Sequence, residues 1–126
     1  MKKVVVSSSQ KFLADQKSIE RSLAKLDQVL NLGDRSVEIF LIGDAFMTKN
    51  VLSFEAPKDF PHPESKKFKP LGEIYLNPKY IRENNEDLAH MLVHGLLHLM
   101  GYDHKSKSDR MKMEAEEQRL CLLIKS

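Results

Sequence analysis

Four of the five histidines in this 126-residue chain lie in one run, His90-Met91-Leu92-Val93-His94-Gly95-Leu96-Leu97-His98-Leu99-Met100-Gly101-Tyr102-Asp103-His104. His94 and His98 are four residues apart, so on a helix their imidazoles project from one face about one turn apart, within reach of a single metal ion. Gly101 has no Cβ and can take the left-handed conformation that ends a helix and folds the chain back, which would bring His104 round as a third ligand. With histidine at 5 of 126 positions, chance gives a pair at this spacing about 0.2 times per chain, and a third histidine at a set offset lowers that to about 0.01.

Three neutral imidazoles with an open fourth position describe catalytic zinc better than structural zinc, which usually takes four protein ligands. Such an ion, one per chain, brings the pKa of a bound water towards about 7 and polarises a carbonyl or phosphoryl oxygen, so hydrolysis is the natural use. The spacing is that of the metzincin protease motif, His-Glu-x-x-His-x-x-Gly-x-x-His, except that Gly95 stands where those enzymes carry glutamate. That glutamate is the general base of peptide hydrolysis, and glycine cannot replace it.

The other candidates are read more plainly. His90 lies one turn before His94, yet eight residues at about 1.5 Å each put it about 12 Å along the axis from His98, too far to share the ion; packing or support of a ligand is the expected role. Asp103 either orients a ligand imidazole or helps move a proton, or simply holds the turn beside the helix end. His62 reads as a solvated loop residue. Met91, Met100, Met111 and Met113 read as core and gap-filling side chains, and Cys121, among Leu120, Leu122, Leu123 and Ile124, as a buried inert thiol. Lys66, Lys67, Lys69, Lys105, Lys107, Arg110 and Lys112 flank the histidine run and form either a solvated face or a phosphate track.

The elements that must position the histidines follow from periodicity. Met1 to Val6 reads as a first strand. Ser9 caps a helix with apolar residues at Phe12, Leu13, Ile19, Leu23, Leu26, Val29 and Leu30, stopped by Gly33. Val37, Ile39 and Leu41 mark a second strand ending at Gly43, and Val51 to Phe54 a third. Ala56 to Pro70, with four prolines, reads as a long surface loop, followed by a strand from Leu71 to Leu76 closed by Asn77-Pro78. A helix from Glu86 to Met100 carries the histidines, and a last helix runs from about Ser108 to Ile124. The fold class is α+β, with a mixed sheet of about four strands, helices packed on it and a zincin-like metal-bearing helix, in one domain over residues 1–126.

Composition narrows the function. Twenty Lys plus Arg against 18 Asp plus Glu leave a net charge of +2, which excludes a protein that coats nucleic acid by charge alone. One cysteine excludes an intramolecular disulfide framework and a Cys-rich zinc finger, and fits a reducing, cytoplasmic compartment. No apolar run approaches the roughly 18 residues of a membrane helix, and three valines after Lys2-Lys3 fall short of a signal peptide, so neither membrane insertion nor export is expected. No Gly-rich phosphate loop, Ser-His-Asp order or paired-carboxylate pattern stands out.

The run from His94 to His104 resembles the signature of the YbeY family, zinc-dependent endoribonucleases that mature ribosomal RNA in bacteria. Asn50-Val51-Leu52-Ser53-Phe54 resembles the family's Asp-Val-Leu-Ser-Phe segment, and Leu71-Gly72-Glu73-Ile74 its Leu-Gly-Asp-Ile segment. The resemblance covers residues 50 to 126, while residues 1 to 49 share the strand, helix, strand order. It implies zinc on His94, His98 and His104, cleavage of single-stranded RNA, late maturation of the 16S ribosomal RNA 3′ end, contact with the small ribosomal subunit and a part in ribosome quality control. The arginine that family members usually carry before the Val-Leu-Ser-Phe strand has no counterpart between Gly43 and Asn50. No catalytic side chain beyond the ligands is assigned. The alternatives are a metalloprotease-like hydrolase and a non-catalytic ribosome-assembly factor with structural zinc.

Overall fold

The computed structural model describes residues 1–57 and 69–125. Its strands are β1 (Lys2–Ser7), β2 (Arg35–Leu41), β3 (Val51–Glu55) and β4 (Lys69–Leu76); its longer helices are α1 (Leu13–Leu30), α2 (Pro78–Glu83), α3 (Leu88–Leu99) and α4 (Lys107–Lys125). The four strands form one mixed sheet in the order β1-β2-β4-β3. β1 and β4 both run parallel to β2, with Val5 opposite Ile39 and Ile39 opposite Ile74, whereas β3 lies antiparallel along β4 with Ser53 opposite Ile74. The α+β reading and the mixed four-stranded sheet therefore hold.

Period-two alternation explains the layering. Val37, Ile39, Leu41, Ile74 and Leu76 are buried, as are Ile19, Leu23 and Leu26 of α1 and Met113, Leu120 and Ile124 of α4. α3 lies at the centre, touching β3, β4, α1, α2 and α4, and its Leu92, Val93, Leu96 and Leu97 are fully buried. Each such aliphatic side chain stabilises the fold by about 1.5–3 kcal/mol relative to an exposed one. The histidine-bearing helix is thus a core element whose position the whole sheet sets.

The structure moves several expected boundaries. α1 stops at Asn31, which takes φ 52° and donates its N–H to the Asp27 carbonyl, two residues before Gly33; asparagine tolerates this left-handed cap. Asn77-Pro78 does close β4, but it also opens α2, because the Asn77 side chain accepts from Tyr80 N–H and Pro78 suits a first helical turn. α3 begins at Leu88 rather than Glu86, capped by Asp87 accepting from Ala89 N–H. Lys69 and Pro70 belong to β4 instead of the loop, and the rest of that loop from Lys58, with His62, Lys66 and Lys67, lies outside the described residues. Met113 is core, whereas Met111 is 61% exposed. Among the described residues, no helix is long and apolar enough to cross a membrane.

Candidate metal centre

α3 ends in the glycine turn that its sequence suggests. Gly101 N–H bonds the His98 carbonyl and Tyr102 N–H the Leu97 carbonyl, with Gly101 at φ 102°, the hydrogen-bond pattern of a Schellman cap. No heavy atom would obstruct a Cβ on Gly101, so backbone conformation is what calls for glycine there. Beyond the turn, Asp103 accepts from Lys105 N–H, as a turn-holding residue does, and it also lines the cavity beside the three histidines. Ser106 then starts α4 by accepting from Asp109 N–H.

This reversal brings His94, His98 and His104 together. One ring nitrogen from each lies within 4.8 Å of the others, and the ring centroids are 4.7 Å (His94 to His98), 5.1 Å (His98 to His104) and 6.2 Å (His94 to His104) apart. His94 and His98 are partly buried, and His104 is exposed.

Hydrogen bonds decide which nitrogens face inward. His98 Nδ1 lies 3.1 Å from the Tyr102 carbonyl oxygen, which can only accept, so Nδ1 carries the proton. His94 Nδ1 lies 2.5 Å from Glu117 Oε1, and His90 Nε2 3.0 Å from Glu117 Oε2. Burial alone would raise the Glu117 carboxyl, but the bonds and charge of His90 and His94 outweigh it and hold it below the usual carboxylate range. An ionised carboxylate only accepts, so both imidazoles donate to it. Burial, followed by the charges of His94 and His104, pushes the His98 imidazole below the ordinary histidine value, favouring its neutral form.

The remaining nitrogens, His94 Nε2 and His98 Nε2, stand 3.2 Å apart. In neutral rings, both present lone pairs, which repel unless a proton or cation stands between them. Two nitrogens on one tetrahedral zinc at about 2.0–2.1 Å would be separated by about 3.3 Å. The donor set therefore fits a divalent metal, and the three histidines could hold one. His90 is directed to Glu117 instead, as its axial distance predicts.

The cluster opens into a cavity of about 580 Å³ whose walls include β3 residues Leu52, Ser53 and Glu55, the three histidines and Lys105. Lys107, Arg110 and Lys112 are exposed along the first turns of α4. Gly95, at the position of the protease glutamate, faces the sheet: Ser53 Oγ donates to its carbonyl at 3.3 Å. Cys121 is half-buried rather than buried, and burial pushes its thiol up, which keeps it protonated. Sequence reasoning missed Glu117, which is 7% exposed. Its signal was its place in the series Met113, Glu117, Leu120, Ile124, a carboxylate on an otherwise apolar helical stripe.

A mixed α+β sheet carrying a three-histidine helix-and-turn centre defines the class. The family model for Endoribonuclease YbeY matches residues 43–125, and the chain belongs to the YbeY family. Curated relatives named Endoribonuclease YbeY include that of Halorhodospira halophila, 42% identical over 85 residues covering 60% of this chain and 53% of the relative. That of Nitratiruptor is 32% identical over 111 residues, covering 72% and 71%. That of Chlamydia abortus is 31% identical over 99 residues, covering 68% and 58%. The chain thus spans about half the length of the Halorhodospira relative.

Proposed function

We propose that the chain is one hydrolase domain that binds zinc through His94, His98 and His104 and cleaves single-stranded RNA. The observation that carries this reading is the approach of His94 Nε2 and His98 Nε2 to 3.2 Å at the wall of an open cavity. When bound, zinc supplies Lewis-acid polarisation of a phosphoryl oxygen and a water acidic enough to attack near neutral pH. The chain's own residues do the rest. The Tyr102 carbonyl holds the His98 proton away from the cluster, and Lys105, on the cavity wall, offers a cation to a phosphate. Gly95 offers no carboxylate for peptide hydrolysis. We extend the proposal, from the resemblance to the family, to ribosomal RNA at the small subunit, in 16S 3′-end maturation and quality control, and, from the single cysteine, to a cytoplasmic setting.

A second reading, a metal-bearing assembly factor that binds RNA without cutting it, is favoured by one observation: Gly43 to Asn50 contains Lys49 and no arginine. Incubating the protein with a single-stranded RNA and with casein, each with and without chelator, separates these readings. The expected result is RNA cleavage that the chelator stops, with casein intact. Chelator-sensitive casein digestion with intact RNA would restore the protease, and RNA bound but uncut would establish the assembly factor.

A further inference from the structure

Glu117 occupies a costly place for a carboxylate. It lies between Met113 and Leu120 on the face that α4 turns into the core, and it is one of the two polar residues buried among those described. Removing an ionised carboxyl from water is unfavourable unless its oxygens are matched by donors. Both oxygens are matched by α3, Oε1 by His94 Nδ1 at 2.5 Å and Oε2 by His90 Nε2 at 3.0 Å. His90 and His94 are one helical turn apart, which lets one carboxylate span both rings.

We propose that Glu117 is the positioning residue of the metal centre: it fixes the tautomer and orientation of His94, while His90 holds the second oxygen of the same carboxylate in place. This rests on the reading of His94, His98 and His104 as ligands. The partners of the two helical ligands differ in kind. His98 is held by a neutral carbonyl, that of Tyr102, whereas His94 is held by an anion, which makes its free nitrogen the more basic donor to a metal. The centre is consequently assembled across two helices, since α3 and the turn after it supply all three ligands and α4 supplies the group that aims the first of them. His90 is the more exposed partner, its side chain 42% exposed against 10% for Glu117.

The test compares zinc affinity, by competition with a chromophoric chelator, in the wild-type chain, Glu117→Leu, Glu117→Gln and His90→Ala, with urea unfolding of each metal-free protein. Glu117→Leu is expected to weaken zinc binding about 10- to 100-fold. Its metal-free fold should lose some stability, because leucine leaves the His94 Nδ1 donor without its acceptor even as it removes the desolvation cost of the carboxylate, so affinity and stability are read separately. Glu117→Gln keeps an acceptor for His94 and should recover part of the affinity, and His90→Ala should lose less than Glu117→Leu. Wild-type affinity in Glu117→Leu, or a loss that follows reduced metal-free stability with no recovery in Glu117→Gln, overturns the positioning role alone. Absence of zinc binding in the wild type overturns the ligand reading along with it.

Discussion

Gly95 rests against Ile74 so closely that a Cβ added to the glycine would stand 2.9 Å from Ile74 Cγ2 and 3.0 Å from Ser53 Oγ. The position that holds a catalytic glutamate in the metzincin motif is here the point where α3 meets β4 and β3. Glycine at this position therefore has a packing reason as well as a chemical consequence. Ile74 is β-branched and fully buried, so it has little freedom to withdraw. We expect Gly95→Ala to destabilise the fold by about 1–3 kcal/mol, the usual range for overpacking a core, read as a lower midpoint in urea. Gly95→Glu should displace α3 rather than create a protease. Wild-type stability in Gly95→Ala would show that the helix has room to shift.

The basic residues beside the cluster give a second expectation. Lys105, Lys107, Arg110 and Lys112 are exposed, and Lys105 borders the cavity. Replacing all four by glutamine should weaken single-stranded RNA binding and flatten its salt dependence, because fewer phosphate contacts release fewer counterions. The check is the slope of log affinity against log salt. An unchanged slope removes these residues from the RNA path.

Tyr75 supplies a pH test remote from the histidines. Its hydroxyl donates to Glu73 Oε2 at 2.6 Å. This bond, then burial and the charges of Glu73 and Glu38, raise its pKa to about 12. The protonated phenol is favoured in the folded state. Its contribution to stability is therefore complete below the unfolded value of 10.0 and lost as pH rises through about 12. Ultraviolet titration should show one phenol ionising near that upper value in the folded chain, and Glu73→Gln should bring it down. A Tyr75 unaffected by Glu73→Gln would contradict the hydrogen-bond origin of the shift.

Much of this was legible from residue types. The spacing of His94, His98 and His104 with Gly101 marked the helix and its glycine cap, because both depend on local backbone geometry. The strands were legible in the alternation of Val37, Ile39 and Leu41, since burial on one face follows a period of two. What escaped depends on long-range contact. The Glu117 link to His94 spans 23 residues and exists only after α4 docks on α3. The parallel pairing of β2 with β4 and the tight seat of Gly95 on Ile74 likewise come from tertiary packing. α2 was missed for another reason: Asn77-Pro78 serves equally as a strand stop and a helix start, and a six-residue helix has too few turns to show a period.

The reading of the three histidines as one metal site is tested most directly by the metal content of protein purified without added metal and dialysed, in the wild type, His98→Ala and His90→Ala. His98 contributes one of the two nitrogens that approach to 3.2 Å, whereas His90 is bonded to Glu117. We predict one zinc per chain in the wild type, nearly none in His98→Ala, and substantial retention in His90→Ala. Metal-free wild-type protein that takes up no zinc on titration, or equal loss from the two variants, would contradict the three-histidine centre.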